Sequence, residues 1–126
     1  CLDLCAAPGN KSLQLLEAID TRAMADGAVL SGELDVERCT VKMARVLSRV
    51  PSTTSCAAYA NAQRFPVLLE SAESGERLKF QRILVDVPCS GDGTARKTSS
   101  VWRTWNRKAA LELHNRQRNI LLHALY

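Results

Sequence analysis

The chain has 126 residues, 46% of them hydrophobic, and a net charge of +4, enough for one domain with a real core. No apolar run approaches the roughly 20 residues of a membrane span, and no signal-peptide pattern is visible, so no membrane partner is expected. The cysteines Cys1, Cys5, Cys39, Cys56 and Cys89 are odd in number. Cys1 and Cys5 lie close together but lack the second Cys or His pair of a zinc pattern, so no metal is expected. The first four read as small buried hydrophobes in a reducing compartment. The sequence opens inside an apolar run, Cys1–Leu4, and closes inside a helix-like run, Ile120–Tyr126. Neither end carries turn or cap residues, so the chain reads as a fragment.

Charge is unevenly spread. Residues 1–94 hold 10 basic and 12 acidic side chains, whereas residues 95–126 hold 7 basic ones against Glu112 alone. A basic end suits a polyanion, although a solvated helix face would look the same.

Apolar runs alternate with amphipathic ones. Residues 1–5 read as a strand. Ser12–Ile19 reads as a helix with Leu13, Leu16 and Ile19 inward and Glu17 outward. Ala28–Ser31 is a second strand. Val36–Val50 is a second helix, burying Val36, Cys39, Met43, Val46, Leu47 and Val50, and Pro51 stops it. Thr54–Tyr59 is a third strand, Ser71–Lys79 a polar loop, and Arg82–Val87 a fourth strand. The loop Pro88–Thr94 follows, and Trp105–Leu125 reads as a helix. This alternation is the α/β pattern, with a parallel sheet covered on both faces. Ligands in such sheets bind beyond the carboxyl ends of the strands. The loops after residues 5, 33, 59 and 87 should therefore line one site.

Three constellations carry chemistry. The first, Asp3–Ser12, joins strand to helix. Its small residues Ala6, Ala7 and Gly9 admit a ligand close to the backbone. The helix behind it offers free N–H groups to an anionic group. It lacks the glycines of a dinucleotide fingerprint or of a phosphate-binding P-loop. The second is Glu33 after the second strand, where a carboxylate can accept both ribose hydroxyls of an adenosine. Asp35 fits a helix cap instead. The third, Asp86–Thr94, puts an acid and a cysteine three residues apart on the mouth loop of the fourth strand. A plain turn would explain its Gly and Asp residues but not Pro88-Cys89 directly after a buried strand.

The runs Asp-Leu-Cys-Ala-Ala-Pro-Gly-Asn-Lys-Ser and Asp-Val-Pro-Cys-Ser-Gly-Asp-Gly-Thr resemble motifs I and IV of the Sun-type RNA (cytosine-5) methyltransferases. The likeness continues through Arg96-Lys97 and Val101-Trp102-x-x-Trp105, and is strongest to the eukaryotic branch that methylates transfer RNA. It implies a Rossmann-like methyltransferase fold with a parallel central sheet, here the cofactor-binding half without the C-terminal strands. It implies S-adenosyl-L-methionine as cofactor, RNA (transfer RNA first) as partner, and an intracellular, nuclear or nucleolar setting.

By the same resemblance, Cys5, Ala6, Ala7, Pro8, Gly9, Asn10 and Lys11 wrap the methionine end and the sulfonium of the cofactor. Glu33 holds the ribose, in place of the family's usual Asp. Asn61, where the family usually has Asp, lies beside the adenine, and its oxygen can still accept from the adenine amine. Asp86 faces the target base from the cofactor site, and Cys89 is the motif IV cysteine. Arg96, Lys97, Arg103, Arg107 and Lys108 are the expected RNA-binding side chains.

The chemistry of cytosine dictates the mechanism. Its carbon 5 is a poor nucleophile until a thiolate adds at carbon 6, and the same thiolate must later leave. The resemblance puts the attacking thiol in a Thr-Cys motif that this sequence lacks, and gives Cys89 the later proton removal and release. Cys89 as attacker, as in cytosine-5 DNA methyltransferases, is the other assignment. Asp86 can accept from the cytosine amine or, protonated, donate to ring nitrogen 3. The alternatives are a DNA cytosine methyltransferase, against which the Gly-Asp-Gly-Thr tail argues, and an RNA-binding paralogue without a nucleophile.

Overall fold

A computed structural model describes residues 1–20, 27–50, 52–66, 69–70 and 74–126. In chain order the elements are β1 (Leu2–Asp3), α1 (Asn10–Asp20) and β2 (Val29–Glu33). Helix α2 then covers 36–47, π-helical across Arg38–Met43 and α-helical across Ala44–Leu47. After it come β3 (Ser55–Tyr59), β4 (Leu69–Glu70), β5 (Arg77–Leu78), β6 (Ile83–Leu84), a 3₁₀ turn (Asp92–Thr94), α3 (Val101–Thr104) and α4 (Arg107–Leu125).

The expected parallel sheet is present, in the order β3-β2-β1-β6. Leu2 pairs with Leu30 and Ile83, and Asp3 with Ser31 and Leu84. Alternation along β1 then divides the interior. Leu2 and Leu4 point to one side and form a core with Ala62, Phe65 and Ile120 of α4. Asp3 points to the other side, where the Ser12 hydroxyl of α1 donates to its Oδ2 at 2.7 Å. Leu16 of α1 and Met43 of α2 are fully buried. Gly32 is required by close approach, because a Cβ there would lie 2.9 Å from Cε2 of Phe65.

Most predicted elements are found, with several corrections. Helix α1 buries Ser12 and Leu16, while Leu13 and Ile19 are only half-buried. Helix α2 buries Cys39, Met43 and Val46, but Val36 is 56% exposed. Its π segment takes i→i+5 bonds, which shifts the helical phase and leaves Val36 outside. The helix also ends at Leu47 rather than Val50; Pro51 lies outside the described residues. The stretch expected to be a loop contains β5, paired antiparallel with β4. Strands of two residues are too short to show alternation in a sequence. Cys56 is exposed rather than buried, because β3 is a sheet edge. The last helix begins at Arg107, after a separate short helix α3. Asn106 caps it, its Oδ1 accepting from the Ala109 N–H at 2.9 Å. Among the described residues no helix is long and apolar enough to cross a membrane.

Candidate functional site

All four loops expected at the carboxyl edge of the sheet line one cavity of about 580 Å³. Cys5 and Ala7 come from the loop after β1, Glu33 and Asp35 from the end of β2, Asn61 and Gln63 from the loop after β3, and Asp86, Pro88 and Cys89 from the loop after β6. The volume falls within the roughly 300–1,000 Å³ of small-molecule sites.

The first loop is a tight turn. The Ala6 N–H donates to Gly32 O at 2.9 Å, anchoring the loop on β2, and the Gly9 N–H returns to Ala6 O at 2.6 Å. Gly9 holds φ 104°, which side chains rarely adopt. Ala6 and Gly9 are buried and shape the loop, whereas Pro8 and Asn10 are exposed and do not line the cavity. Lys11 reaches from α1 to form an ion pair with Asp86.

Glu33 is 7% exposed. Its Oε1 accepts from the Asp35 N–H at 3.0 Å, and its Oε2 lies 3.9 Å from Nη2 of Arg38. Neither contact saturates a carboxylate with four lone-pair sites, so acceptor capacity remains at the cavity. Asp35 is the helix cap, its Oδ1 accepting from the Arg38 N–H at 2.8 Å. The Asn61 Oδ1 accepts from the Gln63 N–H at 3.0 Å, which fixes the amide at the cavity wall and leaves one lone pair free.

Two thiols face this space with different characters. Cys5 is half-buried, and its pKa is pushed up to about 11, first by burial and then by the negative charges of Glu33, Asp3 and Asp86. It stays a neutral thiol at physiological pH. Cys89 is exposed on the loop after β6. That loop is held by α4, whose Gln117 donates its side-chain amide to Pro88 O at 2.9 Å.

Sequence reasoning missed four polar residues here. Arg38 donates to Ala7 O at 2.9 Å and so bridges the first loop to the Glu33 side. Gln63 and Arg116 line the cavity, and Gln117 positions the loop of Cys89. The only signal available was helical spacing on α4, where Arg116 and Gln117 lie one turn before the buried Ile120. The expected RNA-binding cations Arg96, Lys97, Arg103, Arg107 and Lys108 do not line this cavity. All five are exposed, on or beside the segment from the 3₁₀ turn to the start of α4. Trp102 and Trp105 stand among them, 78% and 49% exposed. Among the described residues no cluster of His, Cys, Asp or Glu could hold a metal.

A parallel sheet whose strand ends converge on an acid at the end of β2 and an Asp-Val-Pro-Cys loop after β6 is the cofactor-site arrangement of a Rossmann-like methyltransferase domain. The family model described as 16S rRNA methyltransferase RsmB/F matches residues 1–126, and the chain belongs to that family. It is 43% identical over 130 residues to the multisite-specific tRNA:(cytosine-C(5))-methyltransferase of Saccharomyces cerevisiae, covering 99% of this chain and 19% of that protein. It is 38% identical to the tRNA (cytosine(34)-C(5))-methyltransferase of Drosophila melanogaster, covering 95% of this chain and 17% of that one. The ribosomal RNA small subunit methyltransferase F of Pectobacterium carotovorum is 29% identical over 99% of this chain and 23% of its own length. The chain thus spans about a fifth of the length of these relatives.

Proposed function

We propose that the cavity binds S-adenosyl-L-methionine and that the full-length protein methylates carbon 5 of cytosine in RNA, with transfer RNA as substrate. The observation that carries this reading is the convergence of Cys5, Glu33, Asn61, Asp86 and Cys89 on one cavity at the strand ends. The donor set fits the cofactor. Glu33 keeps acceptor capacity for ribose hydroxyls, the Asn61 oxygen can take the adenine amine, and the loop at Cys5 and Ala7, which lines the cavity, admits the methionine portion. Bound there, S-adenosyl-L-methionine supplies an electrophilic methyl group.

The remaining work belongs to the chain. Asp86, oriented by Lys11, accepts from the exocyclic amine of the target cytosine. In this reading Cys89, three residues on and lining the same cavity, assists loss of the carbon 5 proton and release of the product. Attack at carbon 6 falls to a Thr-Cys cysteine outside this sequence. Cys5 is a poor attacker, since its thiol stays protonated at neutral pH.

The exposed cations from Arg96 to Lys108 form the RNA surface. Arg107 and Lys108 sit at the N-terminus of α4, where the helix dipole makes a cation unfavourable by about 0.3–1 kcal/mol. Phosphates offset that cost. Trp102 and Trp105 offer stacking faces beside them. Similarity to the eukaryotic transfer-RNA methyltransferases supports a nuclear or nucleolar setting.

The test is methylation of transfer RNA transcripts by full-length protein, read as 5-methylcytosine by mass spectrometry. Cofactor-dependent 5-methylcytosine is the expected result. Cofactor binding without methylation of any RNA would leave only the cofactor half of the reading.

A further inference from the structure

We propose that Arg116 is an anion anchor at the mouth of the cavity, holding the phosphate that flanks the cytosine presented to Asp86 and Cys89. This rests on the RNA methylation reading above and extends it to one contact. Arg116 lies on α4 and lines the same cavity as Asp86, Pro88 and Cys89. Its backbone position is fixed by the turns of α4 that follow it. Gln117 holds Pro88 O at 2.9 Å, and Ile120 is 3% exposed in the core with Leu2 and Leu4. Two further bonds tie α4 to the loop after β3, from Asn119 to Gln63 at 3.4 Å and between His123 and Phe65 O at 2.8 Å.

The charges of the site distinguish Arg116 from the other cations near it. Among the described residues the ion pairs are Lys11 with Asp86 and Arg38 with Glu33. Arg38 also donates to Ala7 O. The Arg116 side chain makes no ion pair or hydrogen bond among the described residues, although Glu112 lies one turn earlier on the same helix. An exposed guanidinium at the cavity mouth, with no partner among the described residues, matches an anionic oxygen pair on a ligand. Two anions could come there, a phosphate of the RNA or the carboxylate of the cofactor.

Position favours the phosphate. Arg116 directly precedes Gln117, which holds the loop of Cys89, and along α4 it follows a shallow groove lined by Arg107, Lys108, Leu111, Glu112 and Asn115. From Lys108 to Arg116 the helix rises roughly 12 Å, the rise of about three to four stacked nucleotides. A strand on the basic surface at the start of α4 can therefore deliver its phosphate to Arg116 and its base to Asp86.

The experiment uses full-length protein and a transfer RNA in which the phosphates 5′ and 3′ to the methylated cytosine are replaced, in turn, by neutral methylphosphonates. Arg116→Gln should lower kcat/KM for RNA by about tenfold, with unchanged cofactor affinity and unchanged melting temperature. One of the methylphosphonates should cost the wild-type protein a similar factor and cost R116Q nothing more. Arg116→Lys should recover part of the loss. Multiplying losses, or an R116Q protein with wild-type kinetics, would overturn the proposal. Weakened cofactor binding with RNA kinetics otherwise intact would assign Arg116 to the carboxylate instead and overturn it equally. A wild-type protein that methylates no RNA refutes the underlying reading, and shows itself before any variant is made.

Discussion

Lys11, in the first turn of α1, and Asp86, just beyond β6, form an ion pair that joins the loop after β1 to the loop carrying Cys89. Both side chains are about half exposed, at 53% and 52%, and pairs of that kind contribute only about 0–1 kcal/mol to stability. The pair matters through orientation instead. Lys11→Met should shift unfolding free energy by less than about 1 kcal/mol while lowering kcat by about 10²-fold, the scale for misplacing a group at a reacting centre. Denaturant melts beside single-turnover methylation check both halves. A large stability loss with normal kcat would make the pair structural.

Glu33→Ala should weaken cofactor binding by about 1–3 kcal/mol, the range for leaving buried polar partners unpaired. The carboxylate is buried at the cavity with acceptor capacity left over. Calorimetry with S-adenosyl-L-methionine reads the change directly, and wild-type affinity in the variant would remove Glu33 from the site.

Asp3 gives a pH prediction. It is fully buried, its Oδ1 has no partner among the described residues, and Ser12 donates to Oδ2 at 2.7 Å. Burial raises its pKa above the ordinary carboxylate value, more than the Ser12 hydrogen bond lowers it. The folded state therefore holds this proton more tightly than the unfolded chain. The contribution of Asp3 is fully present below the unfolded pKa and is lost as pH rises through the folded one. Ser12→Ala removes the bond that supports the charged form, so its cost of about 1–3 kcal/mol should be largest at neutral pH and smaller near pH 4. Urea titrations at the two values check this. A pH-independent cost would mean Asp3 does not ionise in the folded protein.

The basic segment makes a salt prediction. Replacing Arg96 and Lys97 with Gln should reduce the salt dependence of RNA binding by between about 1.4 and 1.8 log units in affinity per log unit of salt, for two phosphate contacts. Filter binding across a salt series measures it. An unchanged slope would mark both as ordinary solvated side chains.

How far the sequence reaches follows from which features are local. The four strands of the parallel sheet, the Asp35 cap and the four cavity loops are written in short runs, so Asp35 could be read as a helix cap from position alone. Val36 was misplaced because the π turn across Arg38–Met43 alters helical phase, and no residue in that run announces it. Cys56 was misplaced because an edge strand and a central one share the same apolar composition. Arg38, Gln63 and Arg116 reach the site through distant contacts. Arg38 touches Ala7, 31 positions away, and side-chain spacing carries no such information.

Cys89 admits the sharpest test. It is exposed on a loop held by Gln117, beside Asp86, at the cavity. Two assignments compete, and they predict opposite results from one substitution. If Cys89 assists proton loss and release while a downstream cysteine attacks carbon 6, Cys89→Ala still permits bond formation but slows expulsion of the thiolate. Full-length Cys89→Ala protein should then accumulate a covalent RNA complex that survives denaturing electrophoresis. If Cys89 is itself the nucleophile, the variant cannot add to the base and no complex forms. We expect the trapped complex. Cys5→Ala should form no such complex, because Cys5 is held as a neutral thiol by burial and by three nearby carboxylates. Absence of an adduct with Cys89→Ala, together with a stable one after replacement of the downstream cysteine, would reverse the assignment and make Cys89 the attacking thiol.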